Sequence, residues 1–336
     1  MPARRFVLLI IVAASILAAT RPAVALVVTG VSTIHASAPV DDPGWLNVGD
    51  RGVYLGNRWV ISAFHVGAGT TVFPGVGSFA YETGTAVRLQ NPAGEGLTTF
   101  TDLVLYRLTT DPGLPSLTLP SAPPAIGAEV TLIGDGRANS PGDAEKQWAV
   151  TGTFPNYVWT EVSSGGNAAG YTSNRFAKLW GTNRVEDDEP FFGEGDANHT
   201  VNVNAGFGQV ISLFSVFDAP SSSNATASEA QALVGDSGSA VFAKIGAEWN
   251  LVGISHAIGV FPQQPGFENP PLVPPAPQSA VYGNLTYFAD LSRYRDQILS
   301  ITAIPEAGSF ALVGAAMAMA GATAWGRRRT DNRRQA

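Results

Sequence analysis

Val234-Gly235-Asp236-Ser237-Gly238-Ser239-Ala240-Val241-Phe242 sets a serine between two glycines, with strand-forming apolar residues on either side. Glycines at these places let the backbone turn tightly, present a hydroxyl and aim neighbouring amides at one point. That geometry suits an acyl-transfer nucleophile. Gly, Asp and Ser are also favoured in turns for purely local reasons, so the stretch alone fits ordinary turn chemistry equally well.

Two further stretches shift the balance. Val53 to His65 is a strand-like run that ends on a histidine, the side chain that takes a proton near neutrality without large perturbation. Phe100-Thr101-Asp102-Leu103-Val104-Leu105-Tyr106-Arg107-Leu108 puts a carboxylate at the head of an apolar strand. An acid there can hold an imidazole in one tautomer and stabilise its cation.

With these three stretches the chain resembles the trypsin/chymotrypsin-like serine proteases. Ser62-Ala63-Phe64-His65 is similar to that family's Thr-Ala-Ala-His, Asp102-Leu-Val-Leu-Tyr-Arg-Leu108 to its Asp-Ile-Ala-Leu-Leu-Arg-Leu, and Gly235-Asp236-Ser237-Gly238-Ser239 to its Gly-Asp-Ser-Gly-Gly. The order His, Asp, Ser is the family's order. The resemblance implies a catalytic triad of His65, Asp102 and Ser237, with an oxyanion hole at the amides of Gly235 and Ser237. Gln231, six positions before the nucleophile, falls at the base of the primary pocket; Ser255 and His256 fall on the strand that borders it. His256 replaces a tryptophan there and reads first as a structural residue. Gln231 carries no charge, so a preference for Arg or Lys is not implied. Peptide hydrolysis by this route needs no metal or organic cofactor, and the partner is a polypeptide.

The implied fold is all-β: two packed six-stranded antiparallel β-barrels closed by a C-terminal helix. The sequence agrees on its own terms. Strand-sized runs at Val53 to Ile61, Thr85 to Leu89, Leu103 to Leu108 and Glu129 to Ile133 are separated by Gly- and Pro-rich connections, with no long helical pattern and no fixed repeat. Pro120, Pro123 and Pro124 mark a crossover between barrels near 119–127. Asn139 to Ser228 reads largely as inserted loop around strands at Trp148 to Thr153 and Gln209 to Phe214. Phe261 to Gln278, with seven prolines, reads as an exposed loop. Ser279-Ala280-Val281-Tyr282-Gly283 is similar to the family's last strand. After Asp290, Leu291, Tyr294 and Ile298 share one face of a helix.

Both ends read as targeting segments, expected as apolar helices. Arg4 and Arg5 precede an apolar run to Ala19, and Ala23-Val24-Ala25 fits a signal peptidase site, so 1–25 reads as a cleaved signal. Residues 304–329 run from Ile304-Pro305-Glu306 through an apolar stretch to Arg327-Arg328-Arg329, and 330–336 form a polar basic end. A tail of this kind enters a bilayer and stops at a basic boundary. It resembles the PEP-CTERM sorting signal of Gram-negative bacteria, with Ala307 in place of the second proline. The implied partner is an exosortase-type processing enzyme, and the implied destination is the cell surface or medium, by way of a membrane-anchored precursor with transient membrane association.

The intervening region, 26–303, carries 12 basic and 25 acidic residues, a net charge of −13. Phosphate neutralisation needs clustered Lys and Arg, which argues against nucleic acid as a partner. The 336-residue chain has no cysteine, yet this region is long enough to bury a large core without disulfides. Val27-Val28-Thr29-Gly30 resembles the family's processed terminus, whose amine pairs with the acid before the serine; here that acid is Asp236. The acidic run Glu186 to Glu189, with Glu194 and Asp196, offers oxygen ligands for calcium but lacks a fixed spacing, and reads rather as solvated surface. The competing functional class is a non-catalytic, protease-shaped binding or matrix protein at the cell surface.

Overall fold

The computed structural model describes residues 26–189, 193–194, 200–268 and 277–303. The two end segments, and Asp196 beyond the acidic run, lie outside the described residues. The chain divides into two compact units, Met1–Ile298 and Leu299–Ala336. Of the second, the described part is the end of the helix and Ala303. All that follows concerns the first.

Among the described residues that unit is mostly β, with one α-helix at its end. Its first half holds β2 (Val53–Gly56), β3 (Trp59–Ala63), β4 (Thr71–Phe73), β5 (Gly77–Phe79), β6 (Val87–Gln90) and β7 (Phe100–Arg107), paired as a four-stranded sheet in the order β2-β3-β7-β6 and a β4-β5 hairpin. These are the six strands expected of the first β unit. β1 (Leu26–Val28) precedes them but joins the second half.

The second half is larger. β8 (Glu129–Ala138), β9 (Lys146–Thr153), β10 (Asn156–Val162), β11 (Ala168–Thr172) and β12 (Arg175–Arg184) are followed by the hairpin of β13 (Asp188–Glu189) and β14 (Gly193–Glu194). Then come β15 (Val201–Asn204), β16 (Gln209–Val216), β17 (Ala230–Ala232), β18 (Ala240–Ile245), β19 (Glu248–Gly259), β20 (Ser279–Val281), β21 (Leu285–Asp290) and helix α1 (Leu291–Thr302). A seven-stranded sheet runs β12-β8-β18-β19-β21-β16-β15, a four-stranded one runs β10-β9-β11-β20, and β1 pairs with β17. The core of this half joins Leu26, Val28, Val130, Leu132, Val241 and Phe288, all fully buried.

Several expectations need correction. Val53 to Ile61 is a hairpin and not one strand: Asn57 and Arg58 both take positive φ, +50° and +69°, which turns the chain back at once. The described part of the stretch 139–228 is mostly strand. Buried polar residues on both faces of β12, Lys178 on one and Asn183 on the other, hide its alternation from a hydrophobicity reading. Lys178 donates to the carbonyls of Trp45 and Val48, both at 2.6 Å, which meets the hydrogen-bond demand of its ammonium where it is buried. The described first part of the proline-rich loop, 261–268, has no exposed residue either. Phe267 is buried, and the Gln264 amide donates to Ser279 O and Asn284 Oδ1.

The helix forms as its pattern predicts. Leu291, Tyr294 and Ile298 are buried, and Asp290 Oδ1 accepts from the Ser292 amide at 3.0 Å, satisfying a first-turn donor. Tyr294 OH then reaches across the molecule, donating to Asn91 Oδ1 at 2.8 Å and accepting from the Ile211 amide at 3.0 Å.

The N-terminal strand rests beside a buried acid. The Glu229 carbonyl accepts from the Thr29 amide at 2.8 Å, while its carboxylate accepts from the amide and hydroxyl of Thr226. Burial pushes the Glu229 carboxyl up to about 7 against the pull of those hydrogen bonds. In the unfolded chain the group ionises near its ordinary value, so the folded state keeps the proton over the interval between. The stability it contributes is complete below about 4.5 and is lost as pH rises through about 7. Glu229→Gln therefore flattens the fall in urea midpoint between pH 5 and pH 8; a variant with the wild-type slope contradicts this assignment.

Candidate active site

The antiparallel register of β3 and β7 pairs Ala63 with Leu103 and so sets the next residues, Phe64 and His65, beside Asp102. Asp102 is fully buried and its carboxylate grips one residue twice. Oδ1 accepts from the His65 backbone amide at 3.0 Å, and Oδ2 accepts from His65 Nδ1 at 2.7 Å. Because a carboxylate can only accept, the proton of the neutral ring sits on Nδ1 and Nε2 carries the lone pair. The imidazole is about one-fifth exposed.

Ser237 lies in the turn between β17 and β18, partly exposed between buried Asp236 and buried Gly238. Gly235 and Gly238 take φ of +105° and +92°. In this turn the amide of Leu233 donates to Asp236 Oδ2, Val234 to Gln278 Oε1, Asp236 to Leu233 O, Gly238 to Ser255 O and Ser239 to Asp236 O. Among the described residues no acceptor stands against the amides of Gly235 and Ser237. Two alternate N–H groups beside one hydroxyl are thus left without an acceptor among the described residues, and donors of this kind are what an oxyanion needs.

The serine turn packs on the strand that delivers the histidine. A Cβ on Gly238 would stand 2.8 Å from Ser62 Oγ and 3.1 Å from Arg51 O, and Ser62 is three residues before His65. Ser237 Oγ and His65 Nε2 make no hydrogen bond to each other or to other described residues. Nucleophile–base bonds often tighten only when substrate is bound.

Asp236 has a cationic neighbour in Arg137 of β8. Burial lowers the Arg137 guanidinium from its ordinary value and the Asp236 charge raises it back. Val27, by contrast, is a strand residue opposite Gln231. The sequence did not single out Arg137.

The three residues expected to line a substrate pocket are closed from solvent. Gln231 is fully buried and its amide donates to Ala232 O and Leu285 O. A register shift between Ser255 and Ala257 accompanies an inward His256, whose Nε2 meets Ser212 Oγ at 2.8 Å. Burial depresses the His256 imidazole to about 4; the Asp102 charge pulls it up and the His65 ring pushes it further down. His256 is therefore a neutral neighbour of the pair near neutrality. Among the described residues no group of three His, Cys, Asp or Glu could hold a metal ion.

No family model and no curated protein matches this chain. Among solved structures it is similar to kallikrein-related peptidase 10 in complex with Zn2+, at 14% identity over 75% of this chain and 88% of that one, TM-score 0.37. It is also similar to the NS6 protease from murine norovirus 1, at 15% identity over 76% and 93%, TM-score 0.32. A structure of HBP matches at 14% identity over 76% and 86%, TM-score 0.37.

Gly238 offers a direct check on the packing between serine turn and histidine strand. Gly238→Ala combines a positive φ with a contact on Ser62, and it should cost roughly 1–3 kcal/mol of stability in urea titration. A neutral substitution would mean that the turn stands clear of β3.

Proposed function

We propose that this chain is an exported serine endopeptidase in which Ser237 is the nucleophile, His65 the general base and then acid, and Asp102 the residue that orients the ring. The observation that carries the reading is the double grip of buried Asp102 on His65, which leaves Nε2 as the basic atom. The open amides of Gly235 and Ser237 support it.

In the reaction, the Ser237 Oγ–H proton passes to His65 Nε2 as Oγ bonds to the carbonyl carbon of a peptide. The carbonyl oxygen becomes an oxyanion held by the Gly235 and Ser237 amides, each such donor contributing about 3 kcal/mol. His65 then gives its proton to the amine nitrogen as the C–N bond breaks, leaving an acyl-enzyme. Water repeats the sequence: its proton goes to His65, its oxygen bonds to the acyl carbon, and Oγ leaves with the returned proton. Asp102 keeps the ring in place and offsets the imidazolium charge throughout.

The sequence of the end segments supports an activity outside the cell, with a signal peptidase acting after Ala25 and an exosortase-type enzyme acting on the tail from Ile304. Polypeptide is the substrate, and the precursor is held transiently in the membrane by its tail.

A fluorophosphonate probe applied to the full chain should label the wild type at one site and leave Ser237→Ala unlabelled. Asp102→Asn should slow labelling by roughly 10⁴-fold, as expected when the ring loses its tautomer control. Equal labelling of wild type and Ser237→Ala, or labelling of neither, would overturn the endopeptidase reading.

A further inference from the structure

The face of the His65 ring is covered by an aromatic residue from the other half of the molecule. Phe207 stacks on the imidazole with ring centroids 4.8 Å apart and planes inclined by 23°. It sits in the short connection Ala205 to Gly208 between β15 and β16, partly exposed and flanked by glycines on both sides. Phe207 is thus no ordinary core residue; its ring lies on the histidine while its backbone is fastened elsewhere.

The fastening is extensive and specific. Arg88 donates through Nε to Thr101 O at 2.9 Å and through a terminal nitrogen to Phe207 O, while its guanidinium lies 3.9 Å from the Phe64 ring centroid. One cation therefore ties together the neighbours of His65 and Asp102 in sequence, Phe64 and Thr101, and the backbone of the stacking residue. Gly208 takes φ +103°, and a Cβ there would stand 2.4 Å from Phe100 O, so the connection approaches β7 as closely as a backbone can. The next residue completes the latch. Gln209 and Thr98 exchange two hydrogen bonds, at 2.8 and 3.0 Å, and Asn91 donates to Gln209 O at 2.9 Å.

An imidazole hinged at Cβ and held at Nδ1 by a single acceptor can still swing about its χ angles, and a swing moves Nε2 by ångströms. A flat ring against one face removes that freedom. It also favours the imidazolium formed in the reaction, since a cation over an aromatic face is attracted to its quadrupole.

We propose that Phe207, fastened by Arg88 and the 208–209 latch, is a positioning residue that holds the His65 ring in the orientation in which Nε2 serves Ser237. The inference rests on the endopeptidase reading for its catalytic consequence, though not for the restraint itself. It makes the second half of the molecule contribute to the base as well as the nucleophile.

Two measurements on the full chain separate the possibilities. The first is the downfield proton resonance of His65 Nδ1–H bonded to Asp102, which reports ring order without turnover. The second is the rate of fluorophosphonate labelling. Phe207→Ala should broaden or abolish the resonance and slow labelling roughly 10- to 100-fold, the loss expected from an ångström of misplacement. Phe207→Tyr, which keeps the flat face, should restore both. Phe207→Leu, which fills the space without a flat ring, should remain slow and covers the case in which alanine loosens the fold. Retention of a sharp resonance and of the wild-type rate in both Phe207→Ala and Phe207→Leu would overturn the proposal. A wild type that is never labelled defeats the endopeptidase reading instead, and the resonance alone then decides whether Phe207 restrains the ring.

Discussion

The fully buried carboxylate of Asp102 is the constraint on which the site depends. A carboxylate without water is costly unless its lone pairs are met, and here both oxygens are met by one residue, His65. Satisfying the buried acid and orienting the imidazole are thus the same act. The β3–β7 register makes it possible, because a slip of one residue would turn Asp102 to the opposite face of the sheet. The stability of the first half and the orientation of the His65 ring cannot be separated.

The second half is organised around that fixed point. β18 and β19 carry Ser237 and its neighbour Ser255 toward the end of β3, and the Gly238 amide links them by donating to Ser255 O. Arg137 supplies positive charge near Asp236, behind the serine turn. The neutral, buried His256 adds no charge of its own beside Asp102. Latches at Gln209 and Tyr294 then join the two halves on the side of Phe207. Each of these contacts spans long separations in the chain, so the site exists only when the whole unit is folded.

The stretches around His65, Asp102 and Ser237 were easier to read from the sequence than their surroundings. His65 follows β3, Asp102 lies near the start of β7 and Ser237 precedes β18, each within a recognisable local pattern, and the helix after Asp290 shows its period openly. The hairpin at Asn57-Arg58 was hidden because both flanks are apolar and the turn residues are not glycine. β12 was hidden because Lys178 and Asn183 are buried yet polar, each satisfied by backbone carbonyls that only the fold supplies. Arg88, Arg137 and Phe207 act through partners far away in sequence, and no local pattern marks such roles. A faint signal did exist for Phe207: an aromatic side chain held between two glycines in Gly206-Phe207-Gly208 is poorly placed for a core and well placed for a contact at a surface.

The central claim is that the oriented imidazole serves the Ser237 hydroxyl. Mixing the chain with a nitrophenyl ester and following the first turnover by stopped flow tests it most directly. The account predicts a rapid release of about one equivalent of nitrophenolate per chain as the acyl-enzyme forms, followed by slower turnover, with the rapid phase lost when Ser237 is replaced by alanine. A trace with no rapid phase, or one that survives the loss of that hydroxyl, would contradict it.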